Sequence, residues 1–405
     1  MRAQWLFGVA LLSACTDPVE ATPPADAGVD AFDAAPGPPT AITFGDPERF
    51  VIASGGGDHL AFPDVTRLPD GQLLLVYRRG ATHVDATGKL MKQLGSADGR
   101  TWSTPEVLFD TPDIDDRDPS VMTTRKGEVW VNWFQYVATT TPSGTLTTHE
   151  VFTLRSTDGG KVFAPAGQIS TGKMSVPGAT KNAAGLWVDA DGKDVVVAAA
   201  SSAIVEVGSK LLLPTYGGKA LASSTLGIKS PASRISMLES VGGTTFVERA
   251  INPDADKDVW LQEPALLPLA DRWLLHARSA KGSSPGNPGK MLQAVSTDEG
   301  KTWSAWEPFP FVGHAPELLA LSDGPIVSAF RELDDAYTHE WVSLVTSLDG
   351  GRTWSEPMRI RDCKASECGY PGLVELADHQ LLVVYYAPGG KSIDAAIFPF
   401  TVTRD

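Results

Sequence analysis

The phrase SLDGGRTWSEP, residues 347–357, recurs along this 405-residue chain. Related stretches are STDEGKTWSAW at 296–306, STDGGKVFAPA at 156–166 and SADGRTWSTP at 96–105. A catalytic motif is needed once, whereas a phrase that returns at intervals is typical of a repeat architecture. Its Ser and Asp oxygens can bond the backbone of a turn, and its glycine permits positive φ. We therefore predict that the aspartates of the four copies are structural, namely Asp98, Asp158, Asp298 and Asp349.

A second repeat lies between the copies of the first. Six stretches join a small or Pro-bearing start, an apolar segment, a turn and a second apolar segment, which is typical of a β-hairpin. These stretches are 62–78, 118–134, 202–218, 263–278, 315–331 and 370–386. The interval before the third is the longest, so we expect an insertion around 167–200. Six such units predict an all-β fold, a six-bladed β-propeller.

The sixth unit lacks the Ser-x-Asp phrase. We expect TAITFGDPERFVIA (40–53) to pair with IDAAIFPFTVT (393–403), because this closure would remove an exposed sheet edge. The propeller is accordingly predicted to span residues 41–405.

The N-terminus has the pattern of an export signal. Met1-Arg2 supplies a positive start, WLFGVALL an apolar core, and LSAC (12–15) resembles the lipobox of bacterial lipoproteins. We predict a lipoprotein signal peptide over residues 1–15 with Cys15 lipidated; the alternative is an ordinary signal peptide in which Cys15 is incidental. Residues 16–40, rich in Ala, Pro and Asp, predict a disordered tether. The expected location is extracytoplasmic and lipid-anchored.

Charge and cysteine content narrow the expected partners. The net charge of −15 disfavours nucleic acid and anionic membranes, so membrane contact is expected only through the lipid anchor. Outside the cytoplasm, Cys363 and Cys368 are predicted to form a disulfide rather than a metal site. We expect a monomer that binds a glycan or glycoconjugate, with no metal and no cofactor.

The repeated phrase resembles the Asp box, a turn between the two outer strands of a propeller blade. Asp boxes in a six-bladed, exported chain resemble the sialidase superfamily, and the resemblance covers residues 41–405. Asp boxes also occur in non-enzymatic proteins, so activity must be inferred from the site. In such a propeller the first strands of the blades converge on the axis, where the ionisable ends of the six hairpins would meet.

The resemblance implies roles for particular residues. Tyr370, in GYPGLVEL, matches the family's tyrosine nucleophile, and Glu263 matches the glutamate that activates it. Arg278 and Arg331 match arginines that bind the sugar carboxylate. The acid/base aspartate is expected at Asp85 in the loop THVDATG (82–88), with Asp64 as its rival.

One position departs from the family pattern. Sialidases begin their first blade with Phe/Tyr-Arg-Ile-Pro, but LAFPD (60–64) has Ala61 where the arginine is expected. Arg67, Arg78 or Arg117 is a candidate substitute.

Three hypotheses follow. The first is a sialidase-like exo-glycoside hydrolase for glycans ending in an acidic sugar, sialic acid foremost. The second is a non-catalytic glycan-binding propeller. The third is a glycosidase or lyase for another acidic sugar, centred on Arg117, Asp118 and Asp64.

Overall fold

The computed structural model describes residues 37–169, 176–220, 228–241, 245–251, 259–281 and 289–404. The predicted signal peptide, the lipidation site Cys15 and the tether up to residue 36 lie outside these ranges. Within them the chain is almost entirely β-strand, with one 3₁₀ turn at Pro388–Gly390. No helix in the described part of the chain is both long and apolar enough to cross a bilayer.

The first two blades are four-stranded antiparallel sheets. They follow two N-terminal strands, β1 (Pro39–Phe44) and β2 (Glu48–Ser54). The first blade contains β3 (His59–Arg67), β4 (Leu73–Gly80), β5 (Lys89–Gly95) and β6 (Glu106–Phe109). The second contains β7 (Asp115–Thr123), β8 (Val129–Thr141), β9 (Gly144–Ser156) and β10 (Ala164–Gln168).

The third blade is irregular. A small hairpin of β11 (Thr180–Lys181) and β12 (Trp187–Val188) precedes it, within the predicted insertion. Its inner edge is split into β13 (Val196–Ala199) and β14 (Val205–Val207), and both pieces pair with β15 (Lys210–Ala220). The sheet continues through β16 (Ile228–Val241) and β17 (Val247–Ala250).

The remaining blades return to the regular pattern. The fourth contains β18 (Val259–Pro268), β19 (Trp273–Lys281), β20 (Leu292–Ser296) and β21 (Glu307–Pro308). The fifth contains β22 (Val312–Ala320), β23 (Ile326–Leu333), β24 (Glu340–Ser347) and β25 (Met358–Lys364). The sixth contains β26 (Gly369–Leu376), β27 (Gln380–Tyr386) and β28 (Ser392–Arg404).

The N-terminal strands complete the sixth blade. Both β1 and β2 pair antiparallel with β28, so the predicted closure is confirmed; β1 begins at Pro39, two residues before the predicted domain start. Successive blades contact one another, through their inner strands at most junctions and through β13 against β8 and β9 between the second and third blades, and β26 contacts β3 to close the ring. Buried side chains of blades one and six form a shared core, including Leu73, Leu75, Leu382 and Val384.

The four Ser-x-Asp turns lie between the third and fourth strands of their blades. In the fifth blade, the Ser347 hydroxyl donates to Asp349 at 2.8 Å, and the backbone N–H and hydroxyl of Thr353 donate to the same carboxylate at 2.9 and 2.6 Å. Equivalent bonds surround the other three aspartates. The structural prediction for these aspartates is therefore confirmed.

Five inner strands share a backbone irregularity. The residue before a proline has a positive φ of 46 to 57°, and the β-ladder shifts register beside it. This conformation is rare for residues with a side chain, and a following proline favours extended backbone. The five residues are Phe62, Asp118, Glu263, Ala315 and Tyr370.

Candidate active site

Tyr370 and Glu263 meet at the centre of the ring. The Tyr370 hydroxyl donates a 2.6 Å hydrogen bond to Oε1 of Glu263, although the two residues lie 107 positions apart. Arg278 Nη1 donates to the same oxygen at 2.8 Å, and the Ala315 N–H donates to Oε2 at 2.9 Å. Burial, reinforced by the Glu263 charge, raises the pKa of Tyr370 well above its ordinary value, so the phenol is protonated.

Three guanidinium groups interact electrostatically with the Tyr370 hydroxyl, those of Arg117, Arg278 and Arg331. Each has a carboxylate partner already. Arg278 pairs with Glu263, Arg331 holds Glu340 through two bonds of 2.8 and 2.6 Å, and Arg117 donates to Asp115 at 3.0 Å. Nε of Arg278 is buried without a hydrogen-bond partner.

Arg117, from the second blade, lies over the ring of Phe62 at 5.0 Å, and Phe62 packs edge-on against Tyr370 with ring centroids 4.7 Å apart. Arg67 lies elsewhere, because its guanidinium bonds the carbonyls of Gly71 and Glu375. Of the candidate substitutes for the missing first-blade arginine, Arg117 is the one beside Tyr370.

Arg78 occupies a different place from the one predicted. It is fully buried, its Nε donates to Asp115 at 2.7 Å, and its terminal nitrogens donate to the carbonyls of Thr82 and Asp85. All three nitrogens therefore serve the protein itself. Arg78 anchors the 82–88 loop from below and does not present its guanidinium to a substrate, which corrects the prediction of a substrate contact.

The Asp85 side chain turns into its own loop. Its carboxylate accepts bonds from the backbone and hydroxyl groups of Thr82 and Thr87. Although partial burial opposes the effect, these bonds hold the pKa of Asp85 below its ordinary range. A carboxylate that stays ionised is a poor proton donor, so the structure gives the predicted acid role of Asp85 no support.

Three carboxyl groups that line the central cavity have raised pKa values, those of Asp118, Asp64 and Glu317. Burial raises the pKa of Asp118 to about 7 against the opposing charge of Arg117, and the Ser201 hydroxyl donates to Asp118 at 2.9 Å. Burial also raises the pKa of Asp64 to about 7, although the backbone N–H groups of Val121 and Val65 each donate to it at 2.8 Å. The cavity is lined by Phe62, Asp64, Asp118, Ser201, Glu317 and Tyr370.

Glu367 and its two histidine partners lie beside the cavity, and sequence spacing could not predict that they meet. Glu367 accepts hydrogen bonds from His59 Nε2 at 2.8 Å and His83 Nδ1 at 3.0 Å. The adjacent Cys368 forms a disulfide with Cys363, as the sequence predicts. The only sequence signal for Glu367 is this neighbouring cysteine, because the predicted disulfide closes the loop in which Glu367 lies.

The fold and centre define a six-bladed, sialidase-like β-propeller. The model of the BNR repeat-like domain matches residues 117–383, and the chain belongs to this family. No curated protein matches the chain.

Solved structures share the fold at low identity. A protein of unknown function from Dyadobacter fermentans is 21% identical with a TM-score of 0.70, covering 89% of this chain and 100% of that one. The NanB sialidase from Streptococcus pneumoniae is 11% identical with a TM-score of 0.57, covering 87% and 70%. An α-L-arabinanase from Penicillium chrysogenum is 12% identical with a TM-score of 0.59, covering 88% and 98%. The last two are glycoside hydrolases.

Proposed function

We propose that this protein is a glycoside hydrolase that releases a terminal acidic sugar, sialic acid foremost, with Tyr370 as its nucleophile. The observation that carries the proposal is the 2.6 Å bond from the Tyr370 hydroxyl to Glu263. A phenol with a raised pKa needs a base before it can attack, and Glu263 is in contact with its proton.

The arginines support an acidic substrate. Guanidinium groups bind a carboxylate through paired, charge-assisted hydrogen bonds. Arg117, Arg278 and Arg331 surround Tyr370, and we propose that Arg117 takes the place of the family's first-blade arginine. A neutral nucleophile suits this arrangement, because an ionised carboxylate in its place would repel the sugar's own carboxylate.

We assign the proton donor to Asp118 in preference to Asp85. A carboxyl with a pKa of about 7 is half protonated near neutral pH, as a general acid requires. In the proposed step the Tyr370 proton moves to Glu263, the phenolic oxygen bonds the anomeric carbon, and the bond to the leaving oxygen breaks. Asp118 protonates that oxygen; water then gives a proton to Asp118 as its oxygen attacks the anomeric carbon, the tyrosyl–sugar bond breaks, and Glu263 returns its proton to Tyr370.

We also propose that the protein acts outside the cytoplasm, anchored through lipid at Cys15. The Cys363–Cys368 disulfide supports an oxidising compartment, because such bonds rarely persist in the cytosol.

The test is hydrolysis of a fluorogenic sialoside by wild-type protein and Tyr370→Phe. We expect Tyr370→Phe to lose at least about 10³-fold in kcat, because it lacks the nucleophilic oxygen. Tyr77→Phe is the matched control: Tyr77 is also buried and donates one bond, to Gln93 at 3.1 Å, but lies in the first blade's second strand.

Unchanged turnover in Tyr370→Phe would reject the tyrosine mechanism. If the wild type turns over no substrate in a panel of sialosides and uronosides, glycan-array binding tests the non-catalytic alternative. Asp118→Asn and Asp85→Asn separate the two donors: we expect about 10²-fold loss only in Asp118→Asn. Wild-type activity should fall as pH rises through about 7, where Asp118 loses its proton.

A further inference from the structure

His59, His83 and Glu367 form a side-chain cluster at the edge of the central cavity. Their ligand atoms all lie within 4.8 Å of one another. The two imidazole nitrogens meet one carboxylate oxygen, Oε1 of Glu367, at 2.8 and 3.0 Å, and the imidazole rings are nearly perpendicular. Two imidazoles and one carboxylate are a recurrent ligand set for zinc in proteins.

We propose that His59, His83 and Glu367 bind one divalent transition-metal ion, with Zn²⁺ as the best match. Zinc binds imidazole nitrogen and carboxylate oxygen at about 2.0–2.2 Å, which places neighbouring ligand atoms about 3.3 Å apart in a tetrahedral site. The two imidazole–carboxylate distances would need to lengthen by about half an ångström or less, and the two imidazole nitrogens, which lie within 4.8 Å of each other, would need to reach the same spacing.

Separate parts of the chain hold the three side chains in place. His59 is nine-tenths buried, and a Cβ added at Gly390 would lie 2.3 Å from its ring, so this position requires glycine. The loop that carries Glu367 is closed by the Cys363–Cys368 disulfide, and the carbonyl of Glu367 accepts the Gly389 N–H at 2.8 Å. A site assembled from rigid segments loses little entropy when it binds an ion.

The surroundings of His83 are compatible with metal coordination through Nδ1. Its ring packs edge-on against Phe62, and its carbonyl accepts a 2.5 Å bond from Arg117. Coordination through Nδ1 puts the imidazole proton on Nε2, which faces Arg117 Nη2 at 3.4 Å. The ion replaces the bond from His83 Nδ1 to Glu367, and the long contact to Arg117 is lost as well, whereas Arg117 keeps its bonds to the His83 carbonyl and Asp115.

The tautomer of His59 is also free to change. In the hydrogen-bonded cluster its proton lies on Nε2, which donates to Glu367, and its unpartnered, buried Nδ1 would take the proton when Nε2 binds the ion. His83 and Glu367 remain about one-third exposed, at 36% and 31%. Three protein ligands with an accessible fourth position are typical of an open zinc site, which can also hold water or a substrate oxygen.

The ion would connect the 82–88 loop to the sixth blade beside the candidate active site. His83 belongs to that loop, and Phe62 contacts both the His83 ring and Tyr370. Metal binding would therefore fix one wall of the cavity. This role does not depend on the proposed hydrolase activity, because it concerns only the position of the loop.

The experiment is titration of the chelator-treated, full-length chain with Zn²⁺ by calorimetry and with Co²⁺ by visible absorption. We expect one ion per chain and the intense absorption of tetrahedral Co²⁺. His83→Ala and Glu367→Gln should each weaken Zn²⁺ binding at least about 100-fold. Glu367→Gln keeps a similar shape and a hydrogen-bond acceptor, so its loss of binding cannot be attributed to misfolding if its circular dichroism matches the wild type.

His339→Ala is the matched control. His339 is also 36% exposed and its Nε2 also contacts a carboxylate, that of Asp362 at 2.7 Å, but among the described residues it belongs to no cluster of three such ligands. Its substitution should leave Zn²⁺ affinity unchanged. Absence of stoichiometric binding by the wild type, or equal affinities in wild type and His83→Ala, would overturn the proposal and leave a purely hydrogen-bonded cluster. The readout is metal binding, so either result stands apart from the sialoside assay.

Discussion

The outer turns and the inner strand starts of this propeller both recur from blade to blade, but the turns conserve side chains whereas the strand starts conserve a backbone conformation. The outer turns keep the same serine and aspartate and the bond between them, from Asp98 in the first blade to Asp349 in the fifth. The inner starts keep the same backbone, a positive φ before proline, while the side chain changes from phenylalanine to aspartate, glutamate, alanine and tyrosine. We interpret the repeated serine and aspartate of the turns as structural. We interpret the inner positions, which keep their backbone conformation but vary their side chains, as the place of a functional site.

The two regions also differ in electrostatics. Turn aspartates are solvent-accessible, and hydrogen bonds within the turn lower the pKa of Asp98. The central carboxyls are buried, and burial raises the pKa values of Asp64 and Asp118 to about 7. Five of the eleven described residues that have a side chain and a positive φ lie at the inner strand starts, where each costs about 1–3 kcal/mol. The outer turns therefore stabilise the fold, whereas the buried carboxyls and the residues of positive φ at the centre lower the free energy of unfolding.

The largest effect is expected from Glu263→Ala. It leaves Arg278 without its carboxylate and removes the acceptor of Tyr370 and the Ala315 N–H, so we expect a loss of about 3–5 kcal/mol in urea denaturation. Removing both charges, in Glu263→Leu/Arg278→Met, should recover part of this loss, because no unpaired charge remains buried. Equal losses in the single and double variants would show that the ion pair is not the source.

The next effect concerns pH. Burial raises the pKa of Asp64 to about 7, and burial and the Asp64 charge raise the pKa of Glu317 well above its ordinary value. These two carboxyls bind protons in the folded state that they have lost in the unfolded state, so they make stability fall as pH rises from about 4 to 7. The buried His149, His276 and His314 act in the opposite direction, because burial lowers their pKa values and the unfolded imidazoles bind protons that the folded ones do not. The contribution of the carboxyls is therefore measured as the difference in stability between the wild type and a variant.

Glu317→Gln is the variant that checks this prediction. It removes one titrating group of the pair, so its stability relative to the wild type should increase by about 1–3 kcal/mol as pH rises from 5 to 7. A stability difference between the two proteins that stays constant over this range would contradict the raised pKa values.

This comparison explains how much could be predicted from the sequence. The Asp boxes and the six hairpins both repeat in the sequence, so the turns and the blade count could be predicted from pattern, and the closure by β1 and β2 from the missing Asp box of the sixth unit. Tyr370, Glu263 and Arg278 could be predicted to lie close together because they begin or end hairpins. Glu367 could not be found this way, because its contacts to His59 and His83 span 308 and 284 residues. The burial of Arg78 and the self-contained bonding of Asp85 likewise depend on packing that spacing does not encode.

A smaller effect is expected at the outer turns. Asp349→Ala removes the acceptor of the Thr353 N–H, the Thr353 hydroxyl and the Ser347 hydroxyl, for which we expect about 1–2 kcal/mol. Asp158→Ala in the second blade should cost less, because Val162 replaces the threonine and donates only its backbone N–H. The midpoints of urea denaturation measure the loss of stability in each of the two variants. Neither variant should alter activity. A change in kcat would contradict the conclusion that the turn aspartates are structural and that only the centre takes part in the reaction.

The smallest effect isolates the backbone strain at the centre. Ala315 has a φ of 46° and precedes Pro316, so its Cβ opposes the conformation while its methyl contributes little burial. Ala315→Gly should stabilise the protein by about 1 kcal/mol, because glycine adopts positive φ without steric cost. The matched control is Ala329→Gly, at a fully buried position in the neighbouring strand β23, outside the residues of positive φ. There glycine should destabilise by about 0.5–1 kcal/mol. Opposite signs in the two urea midpoints would locate the strain in the residue before the proline; equal losses would mean that the inner strands hold this backbone without cost.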